Sequence, residues 1–148
     1  MNKKIMPTTL LLASLILMLI LHFALPIKYF LWFPYNLTGL IPLAFGILIN
    51  LKADKQMKLH NTTVKPYEKT STLITKGTFF ISRNPMYLGF SAILFGFVLL
   101  LRSLSGIIVV IAFPILINHF FIKFEENKLL DSFGNQWKAY CKTTGRWL

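Results

Sequence analysis

Four long uncharged stretches, residues 5–27, 29–51, 84–101 and 103–122, run 23, 23, 18 and 20 residues without a charged side chain. A helix needs about 20 apolar residues to cross a bilayer, so the pattern predicts four membrane spans at about 7–26, 37–52, 86–101 and 104–123. Two polar segments interrupt it: a loop over 53–85 and a C-terminal segment over 124–148. Four spans take up roughly 80 residues, which leaves too few of the 148 for a separate soluble domain. The expected fold is therefore all-α: a single membrane domain over 1–148, a polytopic bundle of four transmembrane helices with a C-terminal helical extension. Residues 2–26 carry Lys3 and Lys4 ahead of an apolar run, as a secretory signal does. That run is too long for one, and no small-x-small cleavage site follows, so it is read as the first span.

Composition agrees with the pattern: 55% of residues are hydrophobic and 14% charged, which excludes a water-soluble domain of ordinary make-up. The charges orient the bundle. Of sixteen basic residues, fourteen lie before span one, between spans two and three, or after span four, and only Lys28 and Arg102 lie in the other connections. By the positive-inside bias, both termini and the 53–85 loop are cytoplasmic, in the cell membrane of a prokaryote or the endoplasmic reticulum of a eukaryote. The net charge of +11 then reflects topology and anionic headgroups rather than nucleic acid, for which the chain has no module. Tyr29, Trp32, Phe33 and Tyr35 cluster where the outer interface is expected, as anchors do. Cys141 is the lone cysteine and cannot form an internal disulfide, so a reduced thiol is expected.

Within the spans, Gly39 and Gly46, and likewise Gly89 and Gly96, recur seven residues apart and so share a helix face, with Ala92 adding a small-xxx-small step that admits close helix packing. Pro42 and Pro114 fall inside spans two and four, where each removes a ladder hydrogen bond. Span four can continue as one helix through Glu125, Glu126 and Leu130, with Gly134 placed to cap it. Glu125 and Glu126 then stand at the membrane edge. Their blandest role is a solvated turn, with Glu125 beside Lys128. No glycines stand two apart, which removes any GxGxxG nucleotide loop. His22, His60 and His119 are scattered, so no metal site is expected. Asn118 and His119, near the inner end of span four, are read as hydrogen-bonding toward a neighbouring helix.

The most distinctive stretch runs Thr75-Lys76-Gly77-Thr78-Phe79-Phe80-Ile81-Ser82-Arg83-Asn84-Pro85-Met86-Tyr87-Leu88-Gly89. A second block has Glu125-Glu126-x-x-Leu129, then Phe133-Gly134, Tyr140 and Arg146-Trp147, and Thr63-Val64-Lys65-Pro66 precedes both. In this order and spacing the blocks resemble the small integral-membrane methyltransferases that include isoprenylcysteine carboxyl methyltransferase and phospholipid N-methyltransferases. The resemblance covers about residues 37–148. Two positions depart from the family's pattern: Thr78-Phe79 stands where Pro-Tyr is usual, and Asn84 where His is commoner. Asn84 weakens the carboxyl-methylating reading more than the methyltransferase reading.

The resemblance implies S-adenosylmethionine as cofactor, bound between the last two helices and the C-terminal segment, with a lateral opening for a lipid or isoprenoid-like acceptor. It implies Arg83, Asn84 and Tyr87 as catalytic candidates and Gly77, Pro85, Tyr87, Gly89, Glu125, Glu126 and Tyr140 as cofactor-binding candidates. The cofactor's sulfonium, ammonium and ribose hydroxyls suit carboxylates and aromatic faces. Methyl transfer is an in-line displacement that mainly requires alignment and a dry site, and the sequence offers no dedicated base. The acceptor atom stays open between oxygen, nitrogen and sulfur. The headgroup is expected near Asn84 and Tyr87, on a lipid or lipophilic small molecule rather than a prenylated protein. Two other readings stand beside this one: a nicotinamide-dependent membrane reductase, and a non-enzymatic four-helix scaffold or binder.

Overall fold

The computed structural model describes residues 6–25, 31–60 and 72–148, which form helices joined by short turns, with no strand among them. Lys3, Lys4, Lys28, Tyr29 and the Thr63-Val64-Lys65-Pro66 segment lie outside the described residues. Helix α1 (Pro7–Ala24) starts on a proline, which is tolerated where the first-turn N–H has no partner. A 3-10 turn at Tyr35–Gly39 feeds directly into α2 (Leu40–Leu59). The single turn α3 (Thr78–Ile81) precedes α4 (Pro85–Leu101). Then α5 (Ile107–Ile117) passes through a π-helical turn at Asn118–Ile122 into α6 (Lys123–Thr143).

Among the described residues, three helices are long and apolar enough to cross a membrane: Pro7–Ala24, Tyr35–Leu59 and the continuous Ile107–Thr143. The apolar helix α4 has 17 residues, about 26 Å at the usual rise, slightly short of the ~30 Å hydrocarbon core. Large apolar side chains point outward along the bundle, among them Ile16 and Ile20 on α1, Leu48 on α2, and Ile108, Ile111 and Ile115 on α5. Such a surface suits lipid rather than water. In the long helix the apolar run ends at Ile122, and charged side chains return from Lys123 onward.

Helices α2 and α4 pack most closely, and the glycines explain how. Gly39 faces Gly96 and Gly46 faces Gly89 in one antiparallel register; a Cβ on Gly46 would stand 2.5 Å from the Gly89 carbonyl oxygen, and one on Gly39 2.5 Å from that of Gly96. The backbones thus touch where side chains normally keep them apart. On the other face of α4, Leu94 and Val98 meet Met18 of α1 and Val109, Phe113 and Ile117 of α5 in the buried core. At the opposite end, the Arg102 Nε–H bonds the Leu31 carbonyl at 2.6 Å, tying the α4–α5 turn to the α1–α2 connection. Trp32, Phe33 and Tyr35 in that connection are exposed.

Gly134 ends the helix that continues span four, as the sequence leads us to expect, but a second helical stretch follows it within α6. Gly134 takes φ 48° and ψ −113°, a conformation open to glycine, and breaks the helix inside α6 before helical structure resumes to Thr143. The resumed part buries Trp137 and Tyr140. Those two aromatic side chains supply the reason it continues, since burying them returns the chain to the bundle. This fold-back carries the last residues to the N-terminus of α4.

Candidate functional site

The site forms where three segments converge: the turn Ser82-Arg83-Asn84 leading into α4, the start of α6, and the C-terminal tail. Pro85 sits in the first turn of α4 and is buried. That start sets Tyr87 facing α6, where its hydroxyl donates a hydrogen bond to Glu125 Oε1 at 2.5 Å. The Tyr87 ring lies 6.4 Å from that of Phe121, in the π-helical turn, and 6.3 Å from that of Phe90.

Glu125 and Glu126 have different partners, because neighbours on a helix point about 100° apart. Glu126 is enclosed by arginines. Arg146 donates to it twice, Nε to Oε1 at 3.2 Å and Nη2 to Oε2 at 2.5 Å, and Arg83 Nη2 lies 3.5 Å from Oε1. The third Arg146 nitrogen, Nη1, donates to Asn118 Oδ1 at 3.3 Å. Hydrogen bonding and charge from Glu126 hold the Arg146 guanidinium above its already high range. Glu125 instead faces a mainly apolar pocket of about 160 Å³, walled by Met6, Met57, Met86 and Phe90 and bordered by Arg83, Asn84, Pro85 and Tyr87. Burial pushes its carboxyl up to about 7, against the opposing influence of the Tyr87 hydroxyl and the Lys128 charge.

Arg83 stands at the centre. Besides Glu126, its Nη1 hydrogen-bonds the Cys141 sulfur, and its guanidinium lies 5.5 Å from the Trp137 ring centroid. Its backbone N–H donates to the Gly145 carbonyl at 3.0 Å. Asn84 is buried, and its side-chain amide donates to the Arg146 carbonyl at 3.1 Å. Tyr140 hydrogen-bonds the Phe79 carbonyl, and burial pushes its hydroxyl up to about 12. On the far side of Arg83, a wider depression of about 510 Å³ is bordered by Asn118, Arg146, Trp147, Pro114 and Ile115.

Of the candidates read from sequence, the fold brings Arg83, Asn84, Pro85, Tyr87, Glu125, Glu126 and Tyr140 into this one region. Gly77 and Gly89 lie elsewhere, both against α2. Gly77, at φ 64°, leaves room for the Gln56 amide, and Gln56 accepts from the Thr78 backbone N–H at 3.0 Å. Gly89 lies on the α4 face packed against Gly46 and Asn50. The hydrogen bond expected of Asn118 runs to the C-terminal tail rather than to a neighbouring span, and His119 is exposed, edge-on to Phe120. Arg146 and Asn118 were not among the candidates. The signal for Arg146 was its place in the Arg146-Trp147 pair of the second block, and that for Asn118 its polar side chain near the inner end of span four.

No group of three or more potential metal ligands occurs among the described residues. A family model described as phospholipid methyltransferase matches residues 35–136. No curated protein and no solved structure matches.

Proposed function

Given that the chain belongs to the phospholipid methyltransferase family, we propose that it transfers a methyl group from S-adenosylmethionine to a lipophilic acceptor, and that the accepting atom is an amine nitrogen. The carrying observation is Glu125, a carboxylate held by Tyr87 in an apolar, methionine-walled pocket. Such a group attracts a cationic headgroup and repels a carboxylate acceptor.

The side chains present fit the cofactor. The Asn118 amide suits its hydroxyls, the Trp147 ring suits its adenine, and Glu125 suits positive charge. When bound, S-adenosylmethionine supplies an electrophilic methyl on a sulfonium. The protein's own work is to hold the acceptor amine, take one proton from its ammonium form onto Glu125, and keep water away while the neutral nitrogen attacks. A base that titrates near 7 is matched to that task. Glu126, with both oxygens on arginines, serves the frame rather than the cofactor. Met86, Met57 and Phe90 give the pocket a surface suited to the first methylenes of a lipid tail.

In the membrane we read four spans, at about 7–26, 37–52, 86–101 and 104–123, with α4 as the short one, the 53–85 loop and both termini cytoplasmic, and residues 124–148 as the cytosolic extension. The charge distribution supports this. A reporter fused after Leu148 is expected to be active inside the cell; activity only outside contradicts the orientation. For the cofactor, calorimetry on purified protein is expected to give saturable binding of S-adenosylmethionine. Saturable binding of a reduced nicotinamide cofactor in its place overturns the reading in favour of a reductase, and binding of neither in favour of a scaffold.

A further inference from the structure

The last five residues close the site by a set of contacts of their own, beside those that Trp137, Tyr140 and Cys141 make. The Arg146 carbonyl accepts two side-chain hydrogen bonds, from Ser82 Oγ and Asn84 Nδ2, each at 3.1 Å. Both donors are buried, Ser82 completely, and the Ser82 hydroxyl also accepts from the Asn84 backbone N–H at 3.0 Å. One residue earlier, the Gly145 carbonyl takes the Arg83 N–H. Thr144 is buried, and Gly145 is hemmed in by the backbone of Leu148, 1.9 Å from where its Cβ would be. The tail therefore curls on itself while three consecutive residues at the start of α4 hold it.

With its carbonyl fixed, Arg146 extends its guanidinium to both oxygens of Glu126 and to Asn118. Glu126 and Glu125 are consecutive on one helix, so clamping the first sets the direction of the second. If α6 rotated enough to free Glu126, Glu125 would leave Tyr87.

We propose that residues 144–148 form a clasp in which Asn84 anchors the tail and Arg146, through Glu126, sets the rotation of α6 that aims Glu125 into the pocket. Asn84 and Arg146 are thus positioning residues, and Asn84 acts through the tail rather than on the acceptor. The inference rests on the proposed role of Glu125 for its kinetic consequence, and on geometry alone for the clasp.

The test is a double-mutant cycle on the full chain with Asn84→Ala, Arg146→Gln and the pair, read by amide hydrogen exchange and by methyl-transfer kinetics. In Asn84→Ala, exchange of the Arg83 amide, which donates to the Gly145 carbonyl, is expected to accelerate at least tenfold while α2 and the body of α4 keep their protection. Each single variant is expected to lower kcat roughly ten- to a hundredfold, as misplacement of a reacting group does. The double variant should be no slower than the worse single, and Asn84→Gln, which keeps an amide donor, should recover part of the loss. If Asn84→Ala does not fold, Ser82→Ala removes one of the two donors more gently and is expected to accelerate exchange of the Arg83 amide as well. Unchanged protection of the Arg83 amide in both variants, or losses that multiply independently in the double variant, overturns the clasp. Absence of methyl transfer in the unmodified protein defeats the functional reading instead and leaves the exchange result to decide the clasp.

Discussion

The Tyr87 hydroxyl donates to Glu125 Oε1 at 2.5 Å across 38 residues of sequence, joining the start of α4 to the start of α6. This bond favours the ionised carboxylate, whereas burial disfavours it, and burial dominates. The Glu125 carboxyl therefore gains its proton as pH falls through about 7 and can no longer accept one. We expect methyl-transfer rate to fall on the acid side of that value. Tyr87→Phe removes the favouring bond and should move the acid limb to higher pH, while Glu125→Gln should leave a low rate without that limb. Rate profiles from pH 5.5 to 9 check both; an acid limb unchanged in Glu125→Gln refutes the assignment.

Glu126 should behave differently from its neighbour. Glu126→Gln leaves Arg83 and Arg146 facing each other without the carboxylate that both contact. Loss of charge-assisted hydrogen bonds of this kind costs roughly 1.5–3 kcal/mol each, and the partly exposed Arg146 places the total toward the low end. Thermal unfolding in detergent should therefore drop for Glu126→Gln and hardly change for Glu125→Gln. Equal effects of the two substitutions on unfolding contradict the division of roles.

Much of the fold was legible because bilayer thickness and glycine spacing leave few alternatives. The uncharged stretches place α1 and α4 within a few residues and enclose α5, whereas α2 runs on to Leu59, into the segment read as a loop; the paired glycines mark the α2–α4 contact. The meeting of Arg83, Asn84 and Tyr87 with Glu125 and Glu126 was legible only through the order of the motifs. What stayed hidden depends on the backbone break at Gly134. A glycine after an apolar helix reads as a cap, and the sequence does not show that Trp137 and Tyr140 bury themselves beyond it. Without that fold-back, Arg146 has no visible route to Glu126, 20 residues earlier, and the two glutamates look equivalent. The commitment of the Asn84 amide to a backbone carbonyl was hidden for the same reason.

The Gly134 break gives a clean test of backbone strain. A Cβ there meets nothing within 4 Å, so Gly134→Ala introduces no clash and only the φ of 48° is penalised. Residues held in such regions cost about 1–3 kcal/mol. We expect a loss of that size, with faster hydrogen exchange over residues 135–148 before any other region. Uniform acceleration across the bundle contradicts this.

The α2–α4 contact should tolerate even less. Gly46→Ala places a methyl 2.5 Å from the Gly89 carbonyl oxygen, and Gly89→Ala places one 2.8 Å from that of Gly46. Overpacking of this kind costs typically about 1–3 kcal/mol, and both neighbours are backbone and cannot rotate away. Each variant should unfold at lower temperature, and the double variant should fall short of the sum because both methyls force the same separation. Full additivity argues against a shared contact.

Methyl transfer onto a lipid amine with Glu125 as the proton acceptor fixes which product forms and which variant fails to form it. Purified protein is incubated with methyl-labelled S-adenosylmethionine in parallel with amine-bearing phospholipid and with N-acetyl-farnesylcysteine, and methylated species are identified by mass. Label is expected on the amine nitrogen of the phospholipid, lost in Glu125→Gln, with little or none on the thioether acid. Methyl ester formation on N-acetyl-farnesylcysteine with none on the amine lipid contradicts this reading.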